Sequence, residues 1–254
     1  MQADRLAFLA PQSLSEDLRV SAAQPGVGEI DVWGFGLDAP GDQTIRFESL
    51  LDSDERERAR RLLRPRDRER FIAAHGATRL ILAAYVGLHP TQIRFVHSAH
   101  GKPHLVPVPG CADLTFSLSH SRERGLLAVA RGRPVGADLE CTRDDIDVLA
   151  IARRFFSPQE CDALGAVAAQ SRSQAFFRYW VAKEALLKAV GVGLTLPTDR
   201  FTLRFVGDLA SVQPHELAQL EAYQHVRTLD IEAGWYAAFC AAGRDWTLRF
   251  RTGR

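Results

Sequence analysis

The sequence predicts an α+β fold organised as two similar subdomains, each a small antiparallel sheet packed with helices. The order strand, helices, strands occurs once on either side of about Arg133. Within each half, short alternating segments bounded by turn residues sit beside longer segments of helical period. A chain of 254 residues is also long enough to bury either one large core or two modest ones. No residue-level repeat accompanies this order, so the duplication rests on the succession of elements alone. The expected division is 1–28 as an irregular lead-in, 29–133 as the N-terminal subdomain and 134–254 as the C-terminal one.

With 32 basic against 31 acidic side chains the net charge is close to zero, which argues against a general nucleic-acid or polyanion binder. No apolar run approaches the roughly 20 residues of a membrane span, and no basic segment followed by a long apolar one opens the chain. A cytoplasmic protein that does not engage membranes is expected. Cys111, Cys141, Cys161 and Cys240 lack any short pairwise spacing, so neither a zinc site nor a disulfide framework is indicated.

In the lead-in, Pro11, Ser13, Ser15, Pro25, Gly26 and Gly28 suggest irregular backbone. Residues Ile30 to Leu37 alternate as a strand. A helix is expected from Phe47 to Leu63, dense in Arg56, Arg58, Arg60 and Arg61 and offset by Glu55 and Glu57; such charge runs are ordinarily solvated faces laced with i,i+4 pairs. Arg64-Pro65 ends it. A second helix spans roughly Asp67 to Val86, closed by Gly87 and Pro90, and a short strand runs from Ile93 to Val96.

The loop His97-Ser98-Ala99-His100-Gly101-Lys102-Pro103-His104 can hold an anion, its glycine permitting close backbone approach and Lys102 supplying charge. On the strand Leu114 to Ser121, Thr115, Ser117, Ser119 and Ser121 share one face, with Phe116, Leu118 and His120 on the other. Leu126 to Ala130, a Gly132-Arg133-Pro134 turn and Val135 to Glu140 look like a hairpin. Its second strand points Asp138 and Glu140 the same way, while Val135, Ala137 and Leu139 face a core.

A short helix is expected between Asp144 and Arg154. Ser157-Pro158-Gln159-Glu160 is a complete helix start, a capping serine with glutamate three residues on and proline at the first helical position. A helix or helix pair therefore runs from Pro158 to the stop at Gly191-Val192-Gly193. Four tail segments, Phe201 to Val206, Thr228 to Glu232, Tyr236 to Ala241 and Trp246 to Arg251, alternate like antiparallel strands.

The helix through Phe176 to Val190 is mostly apolar yet carries Glu184 and Lys188 one turn apart. Alone they read as an i,i+4 ion pair, worth a few tenths of a kcal/mol. Set beside Asp138 and Glu140, which could otherwise be solvent-facing acids at a sheet edge, Glu184 completes an all-oxygen set suited to magnesium. Such an ion keeps waters and phosphates as its remaining ligands. Lys188 is then placed to reach the same phosphates.

Five motifs in order match a known family: Gly101-Lys102-Pro103; Phe116-Ser117-Leu118-Ser119-His120-Ser121; Val135-Gly136-Ala137-Asp138-Leu139-Glu140; Arg154-Phe155-Phe156-Ser157; and Trp180-x-x-Lys183-Glu184-Ala185-x-x-Lys188-Ala189-x-Gly191-x-Gly193-Leu194. The chain resembles the larger, surfactin-type 4'-phosphopantetheinyl transferases. The resemblance implies a pseudo-dimer of the two halves, with coenzyme A and magnesium in the cleft between them. It also implies transfer of the phosphopantetheine arm to a serine of an apo acyl or peptidyl carrier protein, with adenosine 3',5'-bisphosphate released; a monomer is expected. By this resemblance Asp138, Glu140 and Glu184 take the magnesium positions and Lys188 the phosphate-binding one. Lys102, Ser119 and His120 correspond to residues at the nucleotide end, His120 at the 3'-phosphate, with Arg58 assisting; Lys102→Ala would chiefly raise the coenzyme A requirement. Glu184 is the first candidate for the base that takes the serine proton, directly or through a metal-bound water. Ser117 stands where asparagine is frequent in the family and His75 where arginine is, the latter leaving this helix's nucleotide contacts open. Lys183 is expected in a structural ion pair, Trp180 and Phe176 in the core, and Arg143, Arg153 and Arg154 at a docking surface for acidic carriers. A non-catalytic coenzyme A or carrier-binding module is the alternative, and a magnesium-dependent phosphohydrolase a third.

Overall fold

The structure is a computed structural model that describes residues 6–16, 18, 24–143, 145–215 and 217–252. Its elements in chain order are β1 (Phe8–Leu9), β2 (Glu29–Gly36), α1 (Gly41–Leu50), α2 (Ser53–Arg60), α3 (Pro65–Val86), β3 (Phe95–His97), β4 (Pro103–Leu105), β5 (Leu114–Ser121) and β6 (Arg124–Arg131). There follow β7 (Val135–Cys141), α4 (Val148–Phe155), α5 (Pro158–Ala166), α6 (Ala169–Val190), β8 (Phe201–Val206), β9 (Leu209–Pro214), β10 (His225–Glu232), β11 (Trp235–Ala241) and β12 (Thr247–Phe250). The fold is α+β, with helices and two five-stranded sheets. Two compact units are present: the described residues within 1–96, 103–132 and 247–254 make up the first, and those within 97–102 and 133–246 the second.

In the first unit β6 lies between β2 and β5, antiparallel to both. Two short strands run parallel to β2 along its other edge, β1 opposite Gly34 and Phe35, and β12 opposite Glu29 to Val32. Both depart from expectation. The lead-in supplies a strand and buries Leu14 completely. The tail strand, assigned by sequence to the C-terminal half, joins this sheet, where Arg249 Nε donates to the buried Asp31 carboxylate at 2.5 Å. The helix expected from Phe47 to Leu63 is two helices, because Asp52 accepts from the Glu55 backbone N–H and the Glu55 side chain accepts from the Asp52 N–H, a capping box that starts α2 afresh. Gly76 of α3 lets this helix touch Phe47 of α1, since a Cβ there would fall 2.6 Å from the Phe47 Cβ.

The second unit has an antiparallel sheet in the order β7-β11-β10-β9-β8. The expected hairpin of β6 and β7 does not form: β6 has both edges taken by β2 and β5, and β7 pairs with β11. Gly132, at φ +69, turns the chain between the two sheets. The short helix expected from Asp144 starts instead after Asp147, whose carboxylate accepts from the Leu149 and Ala150 N–H groups; Asp144 itself lies outside the described residues. The run from Pro158 is the helix pair α5 and α6, separated at Val167 and Ala168. Helix α6 packs on β7, β11 and β10. Phe176, Phe177, Val181, Ala182, Ala185, Leu186 and Leu187 are all buried there. Trp180 stacks on Phe176 as part of the same apolar assembly, and Lys183 is buried against Glu160 at 2.8 Å, the structural pair the sequence suggested.

Candidate active site

The chemistry-bearing residues of the second unit lie where β7 meets α6. Side chains alternate along a strand, so Gly136, Asp138 and Glu140 share one face of β7. That face is turned to α6, because a Cβ on Gly136 would sit 2.0 Å from the Ala185 carbonyl oxygen and 2.3 Å from the Ala189 nitrogen. The opposite face, Val135, Ala137 and Leu139, is fully buried. A missing side chain thus brings strand and helix backbones into contact, and two residues further on the strand delivers a carboxylate to the helix. Lys188 Nζ donates to Asp138 Oδ1 at 2.7 Å. Asp138 is buried, whereas Glu184 and Lys188 are among the few half-open positions on this end of α6.

Electrostatics tie Glu184 to the two strand acids. Burial, then the Asp138 charge, push its carboxyl up to about 7; Lys188 opposes the shift and Glu140 adds to it. The ion pair that Glu184 and Lys188 suggest when read alone has a competitor in the structure, since Lys188 is seated on Asp138. Among the described residues no three His, Cys, Asp or Glu side chains stand gathered at metal-ligating positions. The donors are nevertheless of the right kind for a hard cation: three carboxylates close enough to raise the proton affinity of one of them. Asp138, Glu140 and Glu184 could hold such an ion, with Lys188 released from Asp138.

Lys102 belongs to the same unit. Its ammonium donates to the Lys188 carbonyl at 2.5 Å, the Val135 carbonyl at 3.0 Å and the Ala189 carbonyl at 3.4 Å. Burial pulls its pKa down to about 8. In the first unit, Ser119 is buried near the end of β5, and His120, next along the strand, is exposed. Arg58 is exposed in the last turn of α2, with its guanidinium 5.4 Å from the centre of the Phe71 ring. His75, the residue that departs from the family pattern, is held by Glu55 at 2.9 Å and stacks on Phe71. Sequence reasoning gave no role to Gly136, although a glycine two positions before an acid on a strand is the signal for close approach, and passed over Tyr223, whose hydroxyl donates to the Ala189 carbonyl at 3.2 Å. Nothing in the local pattern around Tyr223 marks it.

A strand bearing two acids packed against a helix bearing a third acid and a lysine is chemistry compatible with phosphoryl transfer. The family comparisons agree with that class. Residues 134–240 match the 4'-phosphopantetheinyl transferase superfamily. The chain is 35% identical over 224 residues to the 4'-phosphopantetheinyl transferase HetI of Nostoc sp., covering 87% of this chain and 91% of the relative. It is 30% identical over 218 residues to the 4'-phosphopantetheinyl transferase Sfp of Bacillus subtilis, covering 85% and 93%. A putative 4'-phosphopantetheinyl transferase of Synechocystis sp. is 33% identical over 180 residues, covering 71% and 68%. The chain belongs to the 4'-phosphopantetheinyl transferase superfamily.

Proposed function

We propose that this protein transfers the 4'-phosphopantetheine arm of coenzyme A to a serine of an apo acyl or peptidyl carrier protein, in a magnesium-dependent reaction that releases adenosine 3',5'-bisphosphate. The observation that carries the reading is the Asp138–Lys188 pair beneath Glu184, in a chain whose relatives over most of its length are 4'-phosphopantetheinyl transferases. In the transfer a bond forms between the carrier serine oxygen and the β-phosphorus, the bond from that phosphorus to the bridging oxygen breaks, and the serine proton must leave.

Asp138, Glu140 and Glu184 are the residues proposed to hold magnesium, which when bound neutralises charge on the diphosphate oxygens. The ammonium of Lys188, which donates to Asp138 Oδ1 at 2.7 Å, is proposed to stabilise the leaving bisphosphate. Glu184 is also proposed to accept the serine proton. Ser119, His120 and Arg58 are proposed for the nucleotide end, His120 being exposed and Arg58 solvent-facing in support. Among the described residues no helix is long and apolar enough to cross a membrane. A monomer working in the cytoplasm on acidic carriers docked near Arg143, Arg153 and Arg154 completes the proposal.

The purified protein with magnesium and coenzyme A should add the mass of one phosphopantetheine to at least one member of a panel of apo carrier proteins, read by intact-mass spectrometry. Tight coenzyme A binding without a mass shift on any carrier would favour a non-catalytic module.

A further inference from the structure

Lys102 connects two sequence motifs, Gly101-Lys102-Pro103 and the Gly191-Val192-Gly193 exit from α6. The loop is locked on its own account. Ser98 N–H donates to the Lys102 carbonyl at 2.9 Å, the Lys102 N–H to Ser98 Oγ at 3.1 Å, and the Gly101 N–H to the Ser98 carbonyl at 2.9 Å, with Gly101 in the left-handed region at φ +82. This fixes where the Lys102 stem departs. The stem then crosses the end of α6 at Gly191, itself left-handed at φ +83, where a Cβ would meet Lys102 Cδ at 3.3 Å. At its tip the ammonium reaches the Lys188 and Ala189 carbonyls, which have no helical partner beyond the helix end, and the carbonyl of Val135, the first residue of β7.

An ammonium has three protons, and three carbonyls surround this one. One of them belongs to Lys188 itself, and another opens the strand that carries Asp138 and Glu140. Tyr223 donates to the Ala189 carbonyl from a further direction, so the last turn of α6 is held from two sides. Gly136 brings the same strand and the same turn into backbone contact. We propose that Lys102 is a positioning residue: it caps α6 and ties it to the start of β7, fixing the register that sets the Lys188 ammonium against the acids of the strand. The two glycine motifs are then two halves of one device, a rigid loop that aims a lysine and a helix end left bare to receive it.

This inference rests on the transferase reading, and the two fail in different ways: absence of transfer by the unmodified protein removes the reading, whereas the inference is decided by variants of an active one. Lys102→Met in the full-length protein, assayed with magnesium, coenzyme A and an apo carrier it modifies, should lower kcat by about tenfold or more and leave the KM for coenzyme A within about twofold. Added to Lys188→Ala, it should cost nothing further, since both then remove the same placement. Amide hydrogen exchange of Leu187 to Gly191 should accelerate in Lys102→Met. If that variant fails to fold, Lys102→Arg serves instead: it keeps the charge, but a planar fork cannot seat on three converging carbonyls, so the same kcat loss and faster exchange are expected. A raised KM for coenzyme A with kcat retained would show a direct contact with the substrate and overturn the proposal, as would unchanged kinetics or additive losses with Lys188→Ala.

Discussion

At the scale of single residues the decisive quantity is the proton on Glu184. Its folded value of about 7 lies above the ordinary 4.5, so the stability this group confers is complete below about 4.5 and is lost as pH rises through about 7. The separation corresponds to roughly 3 kcal/mol at the upper limit. Glu184→Gln should therefore hold its stability across that window while the unmodified protein, free of metal, declines. Urea unfolding at pH 5, 6, 7 and 8 would check this; parallel curves for the two proteins would contradict it. A second residue-scale prediction concerns Lys183 and Glu160. The Glu160 carboxylate accepts from Lys183 Nζ at 2.8 Å and from the Ser157 and Leu203 N–H groups, while Lys183 also donates to the Thr198 and Phe201 carbonyls. Removing one partner strands a buried charge, so Lys183→Met should destabilise by about 3–5 kcal/mol in chemical denaturation. Glu160→Gln combined with Lys183→Met should restore part of the loss.

At the scale of elements, the meeting of β7 and α6 depends on Gly136. A methyl group there would fall against the Ala185 carbonyl and the Ala189 nitrogen, both backbone atoms that cannot step aside. Gly136→Ala should lower stability by about 1–3 kcal/mol and depress transfer at temperatures where the variant is still folded, measured by thermal unfolding alongside initial rates. Helix α6 was legible because its apolar density, its two partly open charged positions and its glycine stop are all local properties of the chain. The start of α5 was legible for the same reason, Ser157 and Glu160 carrying out the reciprocal capping their spacing announces. The break between α1 and α2 followed an equally local signal, Asp52 with Glu55, obscured by the surrounding arginines. The false hairpin of β6 and β7 has another origin. Alternation says that a segment is a strand and which residues share a face, but Gly132-Arg133-Pro134 cannot say whether the chain turns back on its neighbour or passes to another sheet.

At the scale of the whole molecule, the two units each enclose their own apolar core, one around Trp33, Phe35 and Phe47 and the other around Phe176, Phe177 and Phe201. Partners far apart in sequence were the least legible feature: Asp31 and Arg249 are 218 residues apart, yet their ion pair fastens β12 to β2. Of the candidate site, Asp138, Glu140, Glu184 and Lys188 were readable from residue type and period, since a strand of period two and a helix of period 3.6 each place their charges on one face. The destination of the Lys102 side chain was not, because a lysine beside a proline announces charge and says nothing of which carbonyls it will cap. The central claim is that the acids of β7 work together with Glu184 and Lys188 of α6 in phosphopantetheine transfer. Its most direct test is the initial rate of transfer to an apo carrier by Asp138→Ala, across a magnesium titration, with circular dichroism confirming an unchanged fold. The account predicts a loss of about a hundredfold or more that magnesium does not restore; a folded variant working at near-normal rate would contradict it.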